Sequence, residues 1–178
     1  MALKPTIYKL QIALSDLDAN FYDTLNLTVA QHPSETLERM MARVLAMCIN
    51  AQQKPVFTAG LSTPDEPDMW VKTLDDQIAL WVDVGEPTAD RIKKAARQAQ
   101  TVKVYSFNSK SSAWWQQESK AFGQLNAEIY QFDSSQVADL ARMVERTMDI
   151  AVSITANSAY VSDNNAQCEL QWVALTAN

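Results

Sequence analysis

The N-terminal part of the chain alternates apolar and polar positions with a period of two. Tyr8, Leu10 and Ile12 alternate loosely with Ile7, Lys9 and Gln11. Asp16-Leu17-Asp18 interrupts the run, and the alternation resumes from Phe21 to Ala30. This period is typical of strands that bury one face, so we expect a β-hairpin. The side chains available for burial in its second strand are Tyr22, Leu25, Leu27 and Val29.

A helical period replaces the alternation after His32-Pro33. Proline is well tolerated in a first helical turn, so this dipeptide predicts the helix start. The apolar residues that follow at i, i+3, i+4 spacing form one buried stripe: Leu37, Met40, Met41, Val44, Leu45 and Cys48. The methionines in this region are predicted to fill the core.

Strand and helix patterns then alternate to the end of the chain. The predicted elements are a strand at Val56 to Thr58, a hairpin from Glu66 to Pro87, a helix at Thr88 to Ala99, a strand at Val102 to Phe107, a helix capped by Ser111 or Ser112, a strand at Glu128 to Phe132, a helix capped by Ser134 or Ser135, and a meander from Met148 to Leu175. This order predicts a mixed α/β (α+β) fold in one domain, residues 1–178.

The hairpin from Glu66 to Pro87 brings two carboxylates together. With Asp75-Asp76 as a two-residue turn, the numbers of opposed residues sum to 151, so Trp70 faces Trp81 and Asp68 faces Asp83. Directly opposed like charges destabilise a strand pair. A divalent metal such as Mg²⁺, a basic side chain from the following helix, or open solvent would relieve the repulsion. The opposite, core-facing side is predicted to carry Met69, Val71, Ile78, Leu80, Val82 and Val84.

Composition and charge narrow the possible functions. The formal net charge is -6, so binding to nucleic acid requires a local basic patch. One candidate patch contains Arg91, Lys93, Lys94, Arg97, Lys103 and Lys110, which equally fits a solvated helix face. One histidine, His32, and two distant cysteines argue against a zinc site or a Ser-His-Asp triad. We expect a cytoplasmic protein with no membrane segment.

Several strings, in order, resemble the YaeQ family along nearly the whole chain. They are KPTIYK, HPSETLERMMARVLA, DEPDMW, LWVDVGEP, DRIKKAARQA and the Trp114-Trp115 pair. The resemblance implies a variant of the PD-(D/E)xK nuclease fold, a restriction-endonuclease-like αβββαβ core with a mixed sheet. That core is expected at about residues 32–107, flanked by an N-terminal β-hairpin at 5–31 and a C-terminal antiparallel β meander at 147–176.

The resemblance also implies a variant catalytic site. Asp68 and Asp83 match the two acids and are the expected Mg²⁺ ligands, whereas Gly85 stands where the usual lysine would be. The missing cation is expected from the following helix. Helical phase favours Lys93 or Arg91, which flank the predicted buried stripe of that helix. Lys94 points away from this stripe, which contains Ile92, Ala95 and Ala99, but could bend round. Glu35 or Glu38 could supply a third acid, and phase favours Glu38.

Three hypotheses follow from these observations. The first is an Mg²⁺-dependent nuclease that uses Asp68, Asp83 and a cation from the helix. The second is a non-catalytic module that binds protein, or binds nucleic acid through Arg91, Lys93, Lys94 and Arg97 with Trp114-Trp115 as a stacking surface. The third is a structural ion pair between the acids and Lys93 or Arg91, without a ligand. Core packing is the alternative interpretation of the tryptophan pair.

Overall fold

The computed structural model describes residues 3–176, which form a mixed α+β fold. The elements in chain order are β1 (Thr6–Asp16), β2 (Phe21–Gln31), α1 (Leu37–Ile49), β3 (Val56–Phe57), β4 (Met69–Lys72), β5 (Ile78–Val84), α2 (Ala89–Gln98), β6 (Ala99–Ser106), α3 (Ser111–Phe122), β7 (Glu128–Phe132), α4 (Ser134–Ala141), β8 (Thr147–Thr155), β9 (Ser158–Ser162) and β10 (Gln167–Ala174). Short 3-10 turns occur at Ala51–Gln53 and Gly60–Ser62.

The chain forms two compact units. The first takes its residues from Met1–Gln52 and Asp133–Trp172, and the second from Gln53–Phe132 and Val173–Asn178. The single-domain assignment stays a prediction. None of the helices within residues 3–176 has the length and apolar character needed to cross a membrane.

The sheet of the first unit has the strand order β2-β1-β8-β9-β10. β1 and β2 form the predicted antiparallel hairpin, and β8, β9 and β10 form the predicted antiparallel meander. β1 joins the meander through a parallel pairing with β8, in which Leu10 lies beside Met148. The sequence gives no local sign of this pairing, because the two strands are far apart along the chain.

One burial prediction in the hairpin is wrong. Tyr22 is 58% exposed, whereas Val29 is fully buried. Since side chains alternate between the faces of a strand, Tyr22 lies on the opposite face from Leu25, Leu27 and Val29.

Helix α1 begins later than predicted. Its N-cap is Thr36, whose side-chain oxygen accepts a hydrogen bond from the Arg39 N–H at 3.1 Å. The dipeptide His32-Pro33 lies outside the helix, because His32 Nδ1 accepts the Ser34 N–H and closes a local turn. The capping threonine therefore sets the helix start in place of the proline.

Burial of α1 extends beyond the predicted stripe. Every residue from Met40 to Cys48 is buried, including Arg43 at 6% exposure. A helix that is buried all round has neighbours on every side, unlike an amphipathic surface helix. The predicted stripe is present, but the polar-looking side of this helix is enclosed as well.

The sheet of the second unit has the strand order β7-β6-β5-β4-β3. β3, β4 and β5 are antiparallel neighbours, whereas β5, β6 and β7 run parallel, so the sheet is mixed as expected. Helices α2 and α3 cover one face of it. The main core residues there are Trp81, Ile92, Ala95, Val102, Val104, Phe122 and Ile129. The predicted apolar stripe of α2 is therefore confirmed at Ile92 and Ala95.

The helix caps of α3 and α4 differ from prediction. Lys110 is the N-cap of α3 and makes no side-chain capping bond, while the Ser111 hydroxyl contacts Glu86 and the Asn108 carbonyl. Asp133 caps α4, with its carboxylate accepting from the N–H groups of Ser135 and Gln136. An aspartate one position earlier thus takes the role that the serine pattern suggested.

Candidate functional site

The β4–β5 hairpin has the predicted register at the positions next to the two aspartates. Trp70 pairs with Trp81 and Met69 with Val82. The turn itself differs from prediction: the Asp76 N–H donates to the Thr73 carbonyl, and Asp76 has a positive φ of 65°. This is the signature of a three-residue hairpin loop with a bulge. A second register shift between Val71 and Lys72 restores the predicted pairing further along the hairpin.

Asp68 lies immediately before β4 and is held by backbone contacts. It is only 5% exposed. Its Oδ2 atom accepts the Val84 N–H at 2.7 Å, and its own N–H donates to the Val82 carbonyl at 3.0 Å. The carboxylate therefore takes the place of a ladder carbonyl beside the end of β5, which is a structural role.

Asp83, the penultimate residue of β5, is held by Arg91 from the first turn of α2. Arg91 Nε lies 2.7 Å from Asp83 Oδ2, and Nη2 lies 3.2 Å from Oδ1, a bidentate pair. Asp83 is 3% exposed, while the Arg91 side chain is 34% exposed. Both Asp83 oxygens thus already have a cationic partner.

The charges of this cluster perturb one another. Burial raises the pKa of Asp83 above its usual value, the Arg91 guanidinium opposes this rise, and the nearby Asp68 carboxylate adds to it. The Asp83 carboxylate raises the pKa of Arg91, which stays protonated. A like charge close enough to shift a pKa supports the predicted proximity of the two acids.

Arg91 also links the hairpin to the preceding loop. Its guanidinium donates to the carbonyl of Pro64, and Nη2 donates to the carbonyl of Glu66 at 2.9 Å. One side chain therefore connects α2, β5 and the turn-rich segment before β4. Four of its five N–H donors are used in this way, which is typical of an arginine with a structural task.

The other predicted basic residues lie elsewhere on α2. Lys93, Lys94 and Arg97 are exposed, and within residues 3–176 their side chains have neither an ion pair nor a hydrogen bond. Arg91 is therefore the residue that the structure brings to the acids, and Lys93 is not.

The two candidate glutamates lie in the first unit. Glu38 is half-buried in the first turn of α1. Glu35 is 6% exposed and receives two hydrogen bonds from Arg43, at 2.9 and 2.6 Å, and one from Arg39 at 2.6 Å. The Arg39 partner follows from the i,i+4 spacing of the two residues in the sequence. Arg43 lies outside the predicted apolar stripe of α1, and its position eight residues after Glu35 gave no signal.

The adjacent tryptophans of α3 have different surroundings. The Trp114 indole N–H donates to the Pro87 carbonyl at 2.8 Å, which ties α3 to the start of α2. Trp115 packs against Phe122 and lines an open cavity of about 460 Å³ with Leu125, Glu128 and Leu175. The core-packing interpretation therefore fits Trp114, and Trp115 faces the cavity.

One neighbour of Asp83 was not singled out from the sequence. Trp81 is 3% exposed, and its buried indole N–H has no hydrogen-bond partner of normal geometry within the described part of the chain. Asp83 is near enough for that N–H to lower the carboxyl pKa slightly. The signal was available, because residues two apart on a strand share a face.

The Mg²⁺ hypothesis can be tested against this donor set. Both oxygens of Asp83 accept from Arg91, and one oxygen of Asp68 accepts from Val84. Among residues 3–176, no group of three or more His, Cys, Asp or Glu side chains is placed to hold a metal ion. As arranged, the site suits a guanidinium better than a divalent cation.

Comparison with known proteins identifies the family. The family model described as YaeQ protein matches residues 1–172. The chain belongs to the YaeQ family. The uncharacterized YaeQ protein of Salmonella typhi is 41% identical over 176 residues, which is 98% of this chain and 97% of that one.

Solved YaeQ structures share the fold over nearly the whole chain. The crystal structure of the YaeQ protein from Xanthomonas axonopodis pv. citri gives a TM-score of 0.93 at 30% identity, covering 98% of this chain and 99% of that one. The structure from Pseudomonas syringae gives 0.92 at 34% identity, covering 98% and 97%. The YaeQ resemblance is thereby confirmed, and the architecture is that of other YaeQ proteins.

Proposed function

We propose that this YaeQ protein is a non-hydrolytic module that binds nucleic acid in the cytoplasm and is built on a variant of the PD-(D/E)xK nuclease fold. Both thiols, Cys48 and Cys168, are free, which is typical of proteins from reducing compartments.

The order of elements supports the nuclease-like part of the proposal. From α1 to β6 the chain runs α, β, β, β, α, β, as the αβββαβ core requires. The three strands are antiparallel neighbours, and β6 joins β5 in parallel. The grouping of α1 with the first unit departs from a self-contained core, which supports a variant of the nuclease fold.

The Asp83–Arg91 pair carries the non-hydrolytic part of the proposal. A metal-dependent nuclease needs carboxylate oxygens available to the ion, and the two Asp83 oxygens both accept from Arg91. Gly85 removes the usual lysine, and the nearest replacement on α2 serves to hold the acid and the loop carbonyls. The chain thus lacks the usual lysine at Gly85, and the Arg91 cation on α2 occupies the carboxylate that a metal ion would need.

The outer side of α2 supports nucleic-acid binding. Lys93, Lys94 and Arg97 are exposed on one short helix, and none of their side chains has a partner within residues 3–176. Unpaired cations that lie close together attract backbone phosphates despite a net charge of -6. Binding of this kind is electrostatic and independent of base sequence.

The direct experiment is incubation of the protein with labelled single-stranded and double-stranded DNA and RNA, with Mg²⁺ or Mn²⁺ present. We expect a shifted complex that contains intact nucleic acid. Cleaved product that disappears in Asp83→Asn would overturn the non-hydrolytic claim. Absence of any complex at low salt would sink nucleic-acid binding and leave a protein partner as the remaining candidate.

An Mg²⁺-dependent nuclease is the second candidate, because the Asp68 carboxylate lies close enough to Asp83 to raise the pKa of Asp83. This alternative places Mg²⁺ on Asp68 and Asp83 and requires Arg91 to release Asp83. The contributions of Lys93 and Glu38 to such a site stay predictions. Calorimetric titration of Mg²⁺ and Mn²⁺ separates the candidates: binding by wild type that is lost in Asp83→Asn favours the nuclease.

A further inference from the structure

The edge strand β2 is unusually unprotected. It pairs with β1 over its whole length of 11 residues without a register shift, and no strand of the described chain pairs with its other side. Proteins commonly block such edges with short strands, bulges, proline or lysine. β2 has none of these, and its single charged residue is Asp23.

Two hydrogen bonds show which backbone groups of β2 point away from β1. The Ala30 carbonyl accepts from Arg43 Nη2 at 3.0 Å, and the Thr24 N–H donates to Asp23 Oδ1 at 2.8 Å. Neither group is therefore used in the ladder with β1. Because this direction alternates with a period of two, the backbone groups of Asn26 and Thr28 point outward as well.

These outward groups lie in a sequence that reads the same in both directions. Residues 24–28 are Thr-Leu-Asn-Leu-Thr. If a second β2 runs antiparallel with a two-fold axis at Asn26, Asn26 faces its own copy, Thr24 faces Thr28, and Leu25 faces Leu27. Within residues 24–28, every outward N–H then meets an outward carbonyl, and the leucines meet each other.

We propose that two copies of this protein pair through β2 and form a homodimer with its two-fold axis at Asn26. Such an interface is isologous, which is the commonest form of homo-oligomer. Leu25 and Leu27, half-buried in the single chain, gain an apolar neighbour across the axis. The exposed bond between Thr24 and Asp23 is exchanged for one to the Thr28 carbonyl of the other copy.

Sedimentation velocity over a range of concentrations tests the pairing with two variants at the axis. Asn26→Pro removes an N–H that the β1 ladder does not use. The hairpin should therefore still form, because proline is tolerated at such positions of edge strands. We expect it to weaken dimerisation about 100-fold, whereas Asn26→Ala keeps the N–H and should dimerise like wild type. A wild type that stays monomeric at about 100 μM, or a proline variant that dimerises equally well, overturns the proposal.

A charge swap tests the register itself and does not depend on the proline variant folding. Residue 26 faces its own copy, so Asn26→Lys and Asn26→Glu should each weaken their homodimers by like-charge repulsion. An equimolar mixture should form the heterodimer. If the mixture stays as monomeric as its components, or if neither variant weakens the homodimer, the axis is not at Asn26 and the proposal fails.

Discussion

The guanidinium of Arg91 holds both carboxylate oxygens of Asp83, at 2.7 and 3.2 Å, and reaches two loop carbonyls from the same position. A buried acid and a half-exposed base on adjacent elements are thereby fixed together. The local site therefore has a defined structural task, whatever else the surface around it binds.

Arg91→Leu should destabilise the protein by about 2 kcal/mol. Removal of one partner leaves a buried charge without compensation, and the exposure of Arg91 reduces the effect from the range seen for fully buried pairs. Urea unfolding gives the value. The double variant Asp83→Leu/Arg91→Leu is the matched control and should be less destabilised than Arg91→Leu alone. If the double variant is the worse of the two, the pair is not a coupled unit.

The stability of wild type relative to Asp83→Asn should fall as pH rises. Burial raises the folded-state pKa of Asp83 above its ordinary value, so the folded state binds the proton more tightly than the unfolded state. Protonation then favours folding, and this contribution is lost as pH passes upward through the folded pKa. Urea midpoints of both proteins from about pH 4 to about pH 7 measure it. A rise of the difference with pH would show that Arg91 outweighs burial.

Glu35→Gln should cost about 3 kcal/mol or more, since the Glu35 and Arg43 side chains are 1% and 8% exposed and each needs the other's charge. The matched control is Asp139→Asn, which breaks an exposed pair with Arg142 and should change stability by less than about 1 kcal/mol. Thermal or urea unfolding compares them. Equal losses of stability in the two variants would mean that the buried pair contributes no more than the exposed pair.

Gly85→Ala should destabilise by about 1–3 kcal/mol, although an added Cβ would meet no atom within 4 Å. The cause is the backbone, because Gly85 has a φ of 128°, which L-residues rarely adopt. Gly123→Ala is the control, since Gly123 has an ordinary helical φ of -61°. If Gly85→Ala leaves stability unchanged, the positive φ is not the reason why glycine, and not lysine, occupies this position.

The sequence predicted most of the local structure and less of the site. Period-two and helical patterns gave the order of elements, and pairing in the hairpin from Glu66 to Pro87 brought Asp68 toward Asp83. The loop conformation was beyond reach, because a positive φ at Asp76 and a compensating bulge near Val71 leave no distinct pattern. The predicted pairing of Trp70 with Trp81 was right because the three-residue loop and the register shift near Val71 offset each other.

The choice among the basic residues of α2 needed three-dimensional information. Helical phase left Arg91 and Lys93 equivalent on either side of the buried stripe. Position along the helix decides between them: Arg91, in the first turn, lies near the end of β5 and the 64–66 loop carbonyls. Likewise, the burial of α1 on all sides depends on contacts with elements that are distant in sequence, and helical periodicity does not predict such contacts.

The central claim is electrostatic binding of nucleic acid by α2, and the salt dependence of affinity tests it most directly. Fluorescence anisotropy with a labelled single-stranded oligonucleotide should compare wild type with Lys93→Gln/Lys94→Gln/Arg97→Gln. The charge-matched control is Lys4→Gln/Lys9→Gln/Lys120→Gln, which removes exposed cations elsewhere. The slope of log affinity against log salt should be shallower by about 2 in the α2 variant and unchanged in the control. Equal slopes in all three proteins, or no binding by wild type, would contradict the claim.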